Sequence, residues 1–208
     1  MNTVGSLVWV PDSLDVWVTG QILSVDNVNA GNLSDEAAAD EMAKVRIEHS
    51  GEHRQFLSSE MFPRNADGRD GFDQMGDLIQ LPHLHEPAIL HAVLQRAREG
   101  SIYTYTGPIL LAVNPFKPLS LYSHESIQIY RDNGSVRAVY PGCGRALPPH
   151  IFALTDTAFR SMLRGIEARV LREGIEHINQ SILVSGESGA GKTGRPACNL
   201  RSIWIPLK

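Results

Sequence analysis

Gly186-Glu187-Ser188-Gly189-Ala190-Gly191-Lys192-Thr193 fits the pattern G-x-x-x-x-G-K-[ST] at every fixed position. The glycines allow backbone conformations closed to residues with a Cβ, and they leave N–H groups facing one concavity that suits a phosphate chain. Lys192 supplies a mobile cation for the outer phosphates, and the Thr193 hydroxyl is suited to ligate Mg²⁺. Such a loop should follow a strand, and Ile182-Leu183-Val184-Ser185 reads as a buried parallel one. It should also open a helix, yet Gly194 and Pro196 come next. The competing reading is a Gly-rich turn that binds nothing.

Size and composition narrow the field. The chain has 208 residues, 42% hydrophobic and 20% charged, enough to bury a core. A net charge of −4 argues against nucleic acid as the main partner. Two cysteines, Cys143 and Cys198, make no disulfide framework and fit a reducing cytosol. No apolar run reaches the roughly 18 residues of a membrane span. The first residues lack a basic stretch followed by an apolar one, so no secretory signal is read there.

Working toward the N-terminus, Pro148-Pro149-His150 opens a helix with Ile151, Phe152, Thr155, Ala158, Phe159, Met162 and Leu163 on one face, and Gly165 is expected to close it. Residues 166–178 again show helical spacing. Ser123 is a candidate cap for a helix through Tyr130. Ile109-Leu110-Leu111-Ala112-Val113 reads as a second buried strand, ending at the turn Asn114-Pro115-Phe116-Lys117-Pro118. By themselves Phe116 and Tyr122 read as ordinary core aromatics. A helix follows His85-Glu86-Pro87, with Leu90, Val93, Leu94 and Ala97 on its buried face and Gly100 as its stop. The histidines 83, 85 and 91 do not fall at i, i+4 with one another, so a metal site there is disfavoured.

The front of the chain reads as short strands. These are Leu7–Val10, Trp17–Val25 with Gly20 as bulge or bend, Lys44–His49 and His53–Leu57. Trp9 and Trp17 are expected to fill the core, and residues 1–60 to fold alone as a small closed barrel. Asp26 to Ala43 is acidic and reads as a solvated insertion. Residues 63–80 read as a turn-rich linker.

Several stretches, in order, resemble the myosin motor head. Leu84 to Leu90 reads LHEPAIL, Ile102 to Lys117 reads IYTYTGPILLAVNPFK, and Tyr122 follows in LYS. Pro149 to Ala153 reads PHIFA, Asn179 to Ser185 reads NQSILVS, and Gly186 to Thr193 reads GESGAGKT. The VWVP and WVTGQI stretches look like the Src-homology-3-like barrel that precedes many such heads. The fold expected is therefore α/β. Residues 1–62 form a small all-β barrel, 63–193 the start of a P-loop NTPase motor domain, and 194–208 a tail outside the family pattern.

The resemblance implies roles. ATP and Mg²⁺ are the implied cofactors. Asn114, Pro115, Phe116 and Lys117 resemble the loop that contacts the purine, and Tyr122 stands where an aromatic lies against adenine. Actin filaments are the implied partner of a complete member, in a cytoplasmic, cytoskeleton-associated myosin complex. Nucleic acid and membrane insertion are not expected.

Three departures are visible. Gly165 to Ile178 is longer than the family's usual connection, and Pro196 breaks the expected helix. The two switch segments that hold Mg²⁺ and position water are not found before Lys208. The chain is accordingly expected to bind Mg·ATP weakly, not to hydrolyse it, and to leave sheet edges open in 63–208. A non-catalytic binding module built on the barrel is the alternative function.

Overall fold

The computed structural model describes residues 3–27, 41–65, 76–139, 146–170 and 179–192. The chain divides into two compact units, one of residues 1–74 and 80–92, the other of residues 75–79 and 93–208.

The first unit is built on a five-stranded antiparallel sheet. Its strands are β1 (Leu7–Asp12), β2 (Val16–Asn27), β3 (Glu41–Ile47), β4 (His53–Leu57) and the two-residue β5 (Phe62–Pro63), in the spatial order β4-β3-β2-β1-β5. Side chains alternate between faces along a strand. Val8, Val10, Val18, Ile22, Ala43, Val45, Ile47 and Met61 accordingly share one buried core. Register explains Gly20. It pairs with Val8 on one side and Ile47 on the other, and a Cβ there would collide with the Val45 side chain and the Arg46 carbonyl. The irregularity in β2 lies elsewhere, between Ile22 and Ser24. Gly20 is thus a site of close packing and not the expected bulge.

The tryptophans lie outside that cluster, Trp9 buried and Trp17 half-buried. Trp9 sits between Val8 and Val10, so it lies opposite the core cluster, with its ring 5.2 Å from that of His91. Trp17 meets Phe62 edge-on at 5.3 Å, and Phe62 meets His85 at 4.9 Å. Asn65, read as linker, is buried and pairs with both backbone groups of His83. In the β1–β2 turn, the Asp12 carboxylate accepts from the Leu14 and Asp15 amides and from Arg54. The Leu14 amide first, then Arg54, holds its pKa down to about 2.

Helix α1 (Glu86–Arg98) belongs to the first unit as far as Ala92 and to the second from Val93. His85 acts as its cap: Nδ1 accepts from the Ala88 amide at 3.3 Å, and Nε2 bonds the Pro63 carbonyl at 2.8 Å. At the other end the Ser101 amide donates to the Arg96 carbonyl at 2.8 Å and the Gly100 amide to that of Ala97 at 3.1 Å. This is a Schellman arrangement, with Gly100 in the stopping position expected for it.

In the second unit β6 (Tyr103–Thr106) and β7 (Ile109–Ala112) form an antiparallel hairpin. The reading of 109–113 as a buried strand is corrected: after the Gly107-Pro108 turn it folds back antiparallel on β6, and Ile109 is 59% exposed. Arg96, itself buried, fastens the helix to β6 through Thr104 Oγ1 at 2.8 Å and the Tyr103 carbonyl at 2.9 Å.

Helix α2 (His124–Val139) starts where the cap was read, with the Ser126 amide donating to Ser123 Oγ at 3.1 Å, but it runs well past Tyr130. Helix α3 (Ile151–Val170) carries the buried Gly165 inside it and does not stop there. A helix-interior glycine costs only about 1 kcal/mol, which packing readily offsets. α2 and α3 meet at Gly134, where a Cβ would strike the Asp156 carboxylate. Arg160 joins Asp156 at 2.7 Å, the Arg131 carbonyl at 3.0 Å and Ser135 Oγ at 2.9 Å. Ile102, Tyr103, Ile127, Ile151 and Phe152 form the core beneath.

Candidate nucleotide-binding site

The site is built from two stretches far apart in sequence. The first leaves the β6–β7 hairpin, whose end is tied down by the Val113 amide donating to the Ile102 carbonyl at 2.9 Å. Asn114 Oδ1 then accepts from the Phe116 amide at 3.1 Å, closing a local side-chain turn of the kind asparagine favours. The other end of the same amide reaches the second stretch. Asn114 Nδ2 donates to the Gly189 carbonyl at 2.6 Å.

That second stretch begins without a strand. Residues 179–187 have no assigned secondary structure, and Leu183 is 92% exposed. The expected strand at 182–185 is therefore absent: among the described residues nothing pairs with it. The loop itself turns tightly, with the Ala190 amide donating to the Glu187 carbonyl at 3.1 Å. Gly189 and Gly191 have φ of 84° and 81°, a backbone that side-chain-bearing residues rarely adopt. Lys192 Nζ donates to the Gly186 carbonyl at 2.6 Å and the Glu187 carbonyl at 2.8 Å. The ammonium is thus folded over the loop, beside the glycines.

The other candidate residues are less gathered. Glu187 and Ser188 are exposed, and Thr193 lies outside the described residues, as do Pro196 and the tail. Pro115 is half-buried, Lys117 is exposed, and Phe116 is 84% exposed with φ of 49°. Tyr122 lies in the 3-10 turn Ser120–Tyr122, against the second core. Its hydroxyl bonds that of Tyr103 at 2.8 Å, and its ring lies 5.8 Å from His150 and 6.2 Å from Phe152.

Asn114 and the loop fit a phosphate-bearing ligand. The loop carries glycines of positive φ, and among the described residues two neutral carbonyls hold the Lys192 ammonium beside them. Sequence reasoning missed His150, noting it only as a helix opener. It proves to be buried at the centre of the aromatic cluster, and only the preceding prolines hint at a fixed position.

The family model described as myosin head (motor domain) matches residues 75–199, which extends past Thr193. Myosin-3 of Arabidopsis thaliana is 41% identical over 136 residues, 65% of this chain and 10% of that protein. Myosin-1 of Saccharomyces cerevisiae is 33% identical over 202 residues, 90% of this chain and 9% of that protein. The Myosin-J heavy chain of Dictyostelium discoideum is 38% identical over 189 residues, 91% of this chain and 7% of that protein. The chain belongs to the myosin head (motor domain) family. It spans about a tenth or less of the length of these relatives.

Proposed function

We propose that this chain supplies the nucleotide-holding front of an actin-based motor. ATP is the ligand, with its phosphates against residues 186–193 and its purine beside Asn114, Pro115, Phe116, Lys117 and Tyr122. The single observation that carries this reading is the 2.6 Å bond from Asn114 to Gly189, which joins the two stretches into one site. When bound, Mg²⁺ would neutralise phosphate charge, and Thr193 is its proposed ligand. Lys192 would exchange two carbonyls for phosphate oxygens, a stronger charge-assisted contact. The five-stranded sheet is proposed to be the Src-homology-3-like barrel of the family. Actin, and association with the cytoskeleton, are proposed for the complete protein. No helix among the described residues is long and apolar enough to cross a membrane.

Titration of a fluorescent ATP analogue in Mg²⁺ buffer tests the reading. Saturable binding is expected, weakened about tenfold or more by Lys192→Ala, since a bond to a charged group contributes about 1.5–3 kcal/mol. Equal binding by wild type and Lys192→Ala would sink it.

A further inference from the structure

A cavity of about 360 Å³ lies between α2 and α3 in the second unit, with Tyr105 of β6 on its wall. That volume falls within the roughly 300–1,000 Å³ range of small-molecule sites. Among the described residues three arginines line it, Arg137 from α2 and Arg160 and Arg164 from α3, against a single carboxylate, Asp156. Arg160 is already engaged. Its Nε meets Asp156 at 2.7 Å, and its Nη2 donates to the Arg131 carbonyl and Ser135 Oγ, so it fastens the two helices and has its charge cancelled. Arg137 and Arg164 are different. Both are exposed, and neither meets a carboxylate among the described residues; Arg164 donates to the Ser161 hydroxyl at 3.1 Å. Burial raises the pKa of the Tyr105 hydroxyl, and after the His150 backbone the charge of Arg137 acts on it in the other direction, so the field of that guanidinium reaches the aromatic wall. Exposed arginines are commonly just solvated. These two share a concavity that carries an excess of two positive charges and has aromatic side chains on its wall.

We propose that this cavity binds a phosphate monoester carried on a small, flat body, with Arg137 and Arg164 holding the phosphate. A dianion matches the two uncancelled cations, and the paired donors of a guanidinium suit phosphate oxygens. A carboxylate brings one charge, and Asp156 already supplies one to Arg160. Tyr105 and Tyr130, both half-buried, and Pro148 offer the body of the ligand an apolar surface. The site shares no residue with the ATP reading and does not depend on it.

The probes are phenyl phosphate, a dianion at about pH 7.5 because the second phosphate pKa is about 6, and benzoate, which has the ring but one charge. Each is titrated into the full chain and into its Lys192→Ala variant, which removes the loop cation from competition. The readouts are the amide resonances of Gly134 and Ala153, one on each helix at the cavity. In both proteins phenyl phosphate is expected to move these amides and to bind about tenfold more tightly than benzoate. Arg137→Gln and Arg164→Gln should each weaken phenyl phosphate about tenfold, and at exposed positions both variants should melt like the parent. Phosphatidylcholine vesicles containing phosphatidic acid separate two sources of the ester. Co-sedimentation that the arginine variants abolish would mark it as a lipid headgroup, and phenyl phosphate binding without co-sedimentation as a soluble molecule. Equal binding of the two probes, an unmoved Gly134 amide, or arginine variants that bind phenyl phosphate as tightly as the parent would each overturn the proposal.

Discussion

The Asn114 side-chain amide is bound at both ends. Its oxygen accepts from Phe116 two residues away, and its nitrogen donates to Gly189 seventy-five residues away. Asn114→Asp separates the two contacts. The aspartate keeps the acceptor for Phe116 but loses the donor to Gly189 and adds negative charge beside the phosphate loop. Nucleotide affinity is expected to fall about tenfold or more, with little change in thermal stability at this half-buried position. Fluorescent-nucleotide titration beside a melting curve checks it. An unchanged dissociation constant would mean the bond is incidental to binding.

Gly134 allows α2 and α3 to approach until a side chain would meet Asp156. Gly134→Ala should force that carboxylate away and loosen its 2.7 Å pair with Arg160. Overpacking of this kind costs about 1–3 kcal/mol, even though alanine is the better helix former. Urea denaturation of the two proteins measures the difference. Greater stability in the variant would show that helix propensity outweighs the clash.

Burial pushes the His150 pKa down from 6.5 to about 4, with the Leu121 backbone acting weakly in the other direction. The groups around it carry no charge to counter this. Tyr103, Tyr122 and Tyr130 pack their rings around it, and burial raises the Tyr130 hydroxyl to about 12. The unfolded chain therefore takes up a proton that the folded one refuses. This contribution to stability is complete above pH 6.5 and is lost as pH falls toward 4, amounting to about 2–3 kcal/mol. A nitrogen NMR titration should find the ring still neutral at about pH 5.5. An inflection near its ordinary value would refute the assignment.

Trp9 bears on independent folding of the front end. A piece of residues 1–60 lacks Met61 of the core, β5, and the helix residue His91 that meets the Trp9 ring. Residues 1–100 retain all three. The longer piece is expected to melt cooperatively and at higher temperature, with Trp9 fluorescence shifted to the blue. Equal melting of both pieces would instead support the reading that residues 1–60 suffice.

Much of the fold was legible because it is local. Alternation marked β1 to β4, Ser123 and Gly100 marked helix ends, and the glycine-lysine spacing marked the loop. Pairing is not local. Ile182–Ser185 and Ile109–Val113 are both apolar and partly β-branched, yet among the described residues one pairs with nothing and the other folds back on Tyr103–Thr106. A run of apolar residues carries no information about its neighbour, so it cannot fix parallel against antiparallel. The same limit hid the Asn114–Gly189 contact, which the residues alone could not supply. It also hid His150, whose burial comes from rings contributed by three separate segments.

Lys192 is held folded back over its own loop. Two carbonyl dipoles already satisfy the ammonium, so an incoming group must surpass them before the lysine turns outward. Chloride or acetate, with one charge apiece and no further anchor, gains little by the exchange. A polyphosphate, with several charges and several amides to meet, gains much. On the reading proposed for the loop, ligands are expected to be sorted by how many charges they bring, ahead of any recognition of the base.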